Sequence, residues 1–301
     1  MRTYEEVGAD IRQAMRVSDT KTILSLASEL DELATPQASA LALRARGLTH
    51  ALRGEFTKAL EHFQEALQLF ESVNDRIEIA TVTGNIGNVY SGYGDYKAAR
   101  EYYKRTVELF ETLGDRGGVA HITGNIGNVD YITGNYADAL DNYQSALSGF
   151  HEVGDRSGIA RVTGNVGIVY SIIGKYEEAL SFYSRALELH EELGDRIGVA
   201  FVNGNIGSVH TNTGNYPEAL AFLSRALLYH EELGNGGSMA VVLGNIGNVH
   251  RSIGDYPVAL SHYRRALQLH EDLGERSGVA RMVGNVGAIH MNTGDYSDAM
   301  N

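Results

Sequence analysis

A Gly-Asn pair recurs at 84/85, 124/125, 164/165, 204/205, 244/245 and 284/285, always forty residues apart and with no insertion or deletion. A fixed period of this length is the mark of a repeat architecture, in which each unit buries its apolar face against its neighbours. The punctuation inside one period supplies the rest. Gly94, Gly134, Gly174, Gly214, Gly254 and Gly294 are each followed by Asp, Asn or Lys and then Tyr. Gly114, Gly154, Gly194, Gly234 and Gly274 are each followed by Asp, Asn or Glu. Glycine closes one helix in a left-handed turn and a short polar side chain opens the next. Pro217 and Pro257 fall in first turns, where no proline N–H is needed. Each unit is therefore expected to be two helices with two-residue links, such as 96–113 and 116–133.

Apolar spacing agrees with this division. Val119, Ile122, Ile126, Val129 and Thr133 mark one face of the first helix, and Ala99, Tyr103, Thr106, Phe110 and Leu113 one face of the second. Residues 1–34 read as a divergent N-terminal helix pair, with Ile23, Leu26, Leu30 and Leu33 on one face. Residues 35–301 read as the regular array, opened by Thr35-Pro36 and ending a few residues into a helix, so that the last unit is expected to be truncated. Such a last unit is expected to expose Val283, Val286 and Ile289 and to invite self-association through that end.

The residues of "NIGNVYSGYGDYKAAREYYKRTVEL" (85–109) resemble the tetratricopeptide repeat family: Ile86, Gly87, Tyr90, Gly94, Tyr96, Ala99 and Tyr103 match its small, apolar and aromatic signature positions. The resemblance recurs in register over roughly 36–301. The family's commonest unit is shorter and closes with a proline. The forty-residue form with an "LGDR-x-G" junction is similar to the arrays of Pins-type G-protein signalling modulators and to bacterial arrays joined to nucleotide cyclases or transcription regulators. The resemblance implies an all-α, right-handed superhelical solenoid of antiparallel helix pairs, whose first helices line a concave groove that takes extended peptides.

Two glycines inside each first helix carry an intrinsic penalty of about 2 kcal/mol per unit relative to alanine. Gly87 and its equivalents match the position where paired helices come closest, so a side chain there is expected to clash. Gly84 and its equivalents have two readings, a bare groove floor or closer stacking of units.

Asn85, Asn125, Asn165, Asn205, Asn245 and Asn285 fall on one face, one per unit. A carboxamide both donates and accepts, so it can pair with a peptide main chain of any sequence. The resemblance implies this use. The alternative is that each amide caps or bridges helices of its own array. Selectivity is expected from the same helix face, four residues before and three and seven after each rung. The candidates there are Asn88, His121, Asn128, Arg161, Phe201, Asn248 and Arg281, with Arg251 nearby. This line carries arginines and no carboxylate, so a partner segment with an apolar stretch and some acidic residues is expected.

Other chemistry is disfavoured. Net charge is −13, which argues against nucleic acid or an anionic membrane as partner. No run is apolar enough to span a bilayer, and with no apolar leader and no cysteine the chain suits the cytoplasm. "GNIG" lies mid-helix, where its amides are already bonded, unlike a phosphate-binding loop at a helix start. The histidines alternate with aromatic residues at equivalent positions: His210, His250 and His290 with Tyr90 and Tyr170, and His190, His230 and His270 with Phe70, Phe110 and Phe150. They read as packing rather than metal ligands. No cofactor or metal is expected, and no nucleophile, base and orienter converge. The leading expectation is a non-catalytic binding scaffold. The alternative is the regulatory or assembly region of a larger signalling enzyme, acting through intramolecular or self-association contacts.

Overall fold

The computed structural model describes residues 3–16 and 19–293, and in it fifteen helices follow one another with no strand among the described residues. They form two compact units, divided after Asp155. In the first, α1 (Tyr4–Arg16), α2 (Thr20–Glu32), α3 (Pro36–Leu52), α4 (Phe56–Ser72), α5 (Arg76–Tyr93), α6 (Tyr96–Leu113), α7 (Arg116–Ile132) and α8 (Tyr136–Val153) pack in sequential pairs. In the second, the pairs are α9 (Arg156–Ile172) with α10 (Tyr176–Glu192), α11 (Arg196–Asn212) with α12 (Tyr216–Glu232), and α13 (Gly236–Ser252) with α14 (Tyr256–Asp272); α15 (Arg276–Thr293) closes on α14.

The turns explain the register. A left-handed residue recurs every twenty positions from Ala34 to Gly274, and it is glycine at all but Ala34 (φ 51°) and Asn74 (φ 55°). Glycine reaches this region without the Cβ clash that hinders other residues. Starts are less uniform. Asp75, Asp95, Asp115, Asp195, Asn235 and Asp255 accept a backbone N–H of the first turn, whereas Asn135, Lys175 and Asn215 make no side-chain cap bond. Asn135 instead donates to Thr133 Oγ1 at 3.1 Å.

The predicted faces are the buried ones except at Thr133, which is exposed just past the end of α7. Ile122 and Val129 meet Ala99, Tyr103 and Phe110 in one core cluster, and Ile23 and Leu30 join Leu41, Phe63 and Phe70 in another. Two stacked rings cross each of five helix pairs: His50 on His62, Tyr90 on Tyr102, Tyr170 on Phe182, His210 on Phe222 and His250 on His262, at 5.2–5.6 Å between centroids. In the α7/α8 pair the same two positions hold Asp130 and Asn142. Asp130, 1% exposed, accepts from Arg100 Nη2 at 2.6 Å and from Asn142 Nδ2 at 2.8 Å. Arginines at helix starts reach glutamates of the following helix in Arg116–Glu152, Arg156–Glu192 and Arg196–Glu232, all well exposed. Such pairs contribute little, typically below about 1 kcal/mol each.

One expectation is corrected. Of Val283, Val286 and Ile289, only Val283 is exposed, because Ile289 is turned into the cluster of Leu243, Tyr263 and Met282 and Val286 packs against it. The cap expected at Gly294 and the helix after it lie outside the described residues.

Candidate functional site

The site is built from the first helices of successive pairs. Within a pair, the glycine that follows each Asn rung by two residues lets the second helix close in. A methyl group on Gly87, Gly127, Gly167 or Gly247 would lie 2.6–2.7 Å from a ring carbon of Tyr103, Tyr143, Tyr183 or Tyr263. Three of those tyrosines reach across the first helix with their hydroxyls, which donate to Asn88, Asn128 and Asn248 Oδ1 at 2.7–2.8 Å. Burial pushes the Tyr103 hydroxyl up to about 12, so it stays a donor at neutral pH.

Between pairs, clefts open along the same face. In the first unit a cleft of 370 Å³ lies between α5 and α7, lined by Thr81, Asn85, Asn88, Phe110 and His121 among others. A second, of 330 Å³, lies between α3 and α5 and shares Asn85 and Asn88 with Leu48 and Phe56. In the second unit a cleft of 450 Å³ lies between α11 and α13, lined by Phe201, Asn205, Ser208, Val241 and Asn245. Thr81 and Phe201, Asn85 and Asn205, Asn88 and Ser208, Phe110 and His230 are equivalent positions three periods apart. The array thus repeats its cleft and changes the lining.

The six rung amides are all half-buried. Asn125 Nδ2 donates to Asn88 Oδ1 at 3.2 Å and Asn245 Nδ2 to Ser208 Oγ at 3.4 Å, each linking two successive pairs. Asn85 and Asn205 differ, for their Nδ2 atoms are buried with no hydrogen-bond partner. Asn165 and Asn285 keep the same place on α9 and α15. Of the flanking candidates, His121, Phe201 and Arg281 are exposed, while Arg161 and Arg251 are half-buried. Gly84 and Gly244 settle toward stacking of units: a methyl there would meet Ile122 at 3.2 Å or Met282 at 3.1 Å, both from the next first helix. Gly164 and Gly204 leave room, with nothing nearer than 3.9 Å.

Sequence reasoning missed the second-helix and junction residues that close the clefts. His190 Nδ1 bonds Asp195 Oδ2 at 2.8 Å, and His270 Nδ1 bonds Glu275 Oε2 at 2.7 Å. Both rings lie against a junction glycine, since a methyl on Gly198 or Gly278 would fall 2.1 or 2.3 Å from Nδ1. At His230 the junction reads Asn235 and Ser238 instead. Asn235 Oδ1 is taken by Ser238 N at 3.1 Å, and His230 Nδ1 is buried without a partner. The departure is visible in "LGNGGSMA" beside "LGDRIGVA".

A family model for the tetratricopeptide repeat matches residues 38–112, 118–192 and 198–272, most of the chain. The chain belongs to the tetratricopeptide repeat family. No curated protein matches this tetratricopeptide chain in sequence. Among solved structures it is similar to the apo quorum sensor NprR from B. thuringiensis, at TM-score 0.77 and 15% identity, covering 98% of this chain and 84% of that one. It is similar to the Rap conjugation gene regulator of plasmid pLS20 in complex with the Phr* peptide, at 0.69 and 16%, covering 87% and 71%. A STAND (signal transduction ATPase with numerous domains) protein with a tetratricopeptide repeat sensor, from Pyrococcus horikoshii, matches at 0.70 and 17%, covering 96% of this chain and 47% of that one. At these identities the likeness is one of fold. Among the described residues no helix is long and apolar enough to cross a membrane.

Proposed function

We propose that this tetratricopeptide array is a non-catalytic scaffold that holds an extended segment of a partner protein along its first helices, with the Asn rungs engaging the segment's main chain. The observation that carries the reading is the pair of buried, unpartnered Nδ2 atoms on Asn85 and Asn205, each lining a cleft on that face. A buried donor left unpaired costs about 1–3 kcal/mol, and a guest carbonyl would remove that cost. A regulator of similar fold is itself in complex with a peptide. His121, Phe201 and the arginines Arg161, Arg251 and Arg281 would supply selectivity, favouring a segment with apolar and some acidic residues. The absence of cysteine fits the cytoplasmic setting that belongs to this proposal.

The test is selection of displayed random short peptides on the wild-type chain, followed by affinity measurements with Asn85→Ala and Asn205→Ala combined. The expected result is at least a tenfold loss of affinity, about 1.4 kcal/mol. Melting should be unchanged or slightly raised, since two unpaired donors are removed. Selected peptides that bind the double variant as tightly as the wild type would overturn the proposal.

A second reading, the sensing or assembly region of a longer signalling enzyme, draws on the STAND protein, whose matching region is about half of its chain. Cross-linking of the chain within its native full-length product would separate the two readings. Capture of a segment of the same polypeptide favours the second.

A further inference from the structure

The cleft between α11 and α13 differs from its counterparts in holding two independent buried polar atoms with no partner, Asn205 Nδ2 and His230 Nδ1. His230 is 5% exposed, and burial lowers its pKa from the ordinary 6.5, so the ring is neutral near pH 7. The state of the ring follows from two sequence changes. At His190 and His270 an acidic junction residue bonds Nδ1 across a glycine. At His230 the carboxylate is replaced by Asn235, whose oxygen already caps α13, and the glycine by Ser238, whose Cβ stands where the sibling rings come closest. The array has therefore removed an internal partner in one unit and left the Nδ1 of a cleft-lining ring unpaired.

The rest of the lining states what fits. Phe201 and Val241, 47% and 42% exposed, give the cleft apolar walls. Asn205 Nδ2 can only donate, and a neutral imidazole nitrogen donates or accepts according to tautomer. Glu275 lining the cleft disfavours a carboxylate guest, and one of its oxygens, Oε2, is engaged by His270. An uncharged group with an oxygen at its tip answers both atoms. A phenol hydroxyl accepts from Asn205 and donates to His230, and a carboxamide oxygen accepts from both. We propose that this cleft is a specificity pocket that takes one oxygen-tipped, uncharged side chain of the bound segment, a tyrosine or a glutamine. The proposal rests on the peptide-binding reading above and adds which residue the segment must carry and where it is read.

The experiment uses the full chain and pools of otherwise random heptapeptides with the central residue fixed as Tyr, Gln, Phe, Leu, Glu or Lys. Binding is read by fluorescence anisotropy, and imidazole ¹⁵N signals are followed in parallel. The wild type should prefer the Tyr or the Gln pool over Phe and Leu by about tenfold, the worth of one or two neutral hydrogen bonds. Which of the two wins identifies the guest group. The His230 signals should shift on binding while those of His190 and His270 stay in place. His230→Phe, a residue that Phe110 shows the position accepts, should erase the preference without erasing binding. Asn235→Asp with Ser238→Gly, which rebuilds the closed arrangement of His190, should do the same. Pools that bind through Asn205 with no preference among central residues, or a preference that survives His230→Phe, would overturn the pocket and leave the groove standing. Absence of binding by every pool, with His230 signals unmoved, would overturn both.

Discussion

Gly87 lies so close to the ring of Tyr103 that a methyl group on its Cα would sit 2.7 Å from two ring carbons, and the ring is pinned at its far end by the hydroxyl bond to Asn88. Neither side of this contact can give way cheaply. Gly127 and Tyr143 repeat it, with the hydroxyl held by Asn128. Gly127→Ala should therefore lower stability by about 1–3 kcal/mol despite alanine's better helix propensity. Gly164→Ala is the control. Its nearest obstacle is Ala186 Cβ at 3.9 Å, so the same substitution should raise stability by up to about 1 kcal/mol. Urea unfolding of both variants checks the pair; equal effects of one sign would contradict it.

Ala34 is a second backbone test. It holds a left-handed conformation that glycine supplies at nearly every equivalent turn. Relief of that strain, roughly 1–2 kcal/mol, exceeds the entropy that glycine adds to the unfolded chain, about 0.5–1 kcal/mol. Ala34→Gly is expected to raise the melting temperature modestly. Asn74→Gly should do less, because asparagine tolerates this region.

The stacked histidines set a pH dependence. Burial lowers the pKa of His62 and of His262 from 6.5, with the charge of the stacked partner, His50 or His250, adding to it. Each ring binds its proton less readily folded than unfolded, so the unfolded chain takes up more protons as the pH drops. This contribution is complete above 6.5 and is lost progressively below it. Thermal melts between about pH 7.5 and 5.5 should show that loss. His62→Phe with His262→Phe, copying Phe182 and Phe222 at the same place, should flatten it.

Asp130 should behave in the opposite sense. Burial raises its pKa above the ordinary 3.8, outweighing the pull of Arg100 and the bond from Asn142. The folded state then holds this proton more tightly than the unfolded state. The residue's contribution is most favourable at and below 3.8 and declines as pH rises through the raised value. Compared with Asp130→Asn over a pH series, the wild type should lose relative stability on going from acid toward neutral. A gap that widened in the wild type's favour would mean that the ion pair dominates.

The architecture was legible because each element is declared by residues next to it in the chain. Gly94 and Asp95 end α5 and start α6 without help from elsewhere. The amides were not legible in the same way, since their state depends on distant residues. Asn125 is bonded because Asn88 stands 37 residues earlier, while the chemically identical Asn85 and Asn205 lack a partner for Nδ2. One cap failed through a local partner instead: Asn135 donates its Nδ2 to Thr133 Oγ1 and makes no bond to the first turn. His230 was hidden by its likeness to His190 and His270, and only the neighbouring changes at 235 and 238 distinguish it.

The evenly spaced left-handed turns have a consequence for how such a protein can change. Because every helix from α3 to α14 is bounded at a twenty-residue interval, cutting and rejoining at any two turns of the same kind exchanges a whole cassette and leaves no half-turn to be absorbed. A cleft with one lining can then replace another without disturbing the phase of its flanks. New preferences can arise by shuffling modules as well as by point substitution.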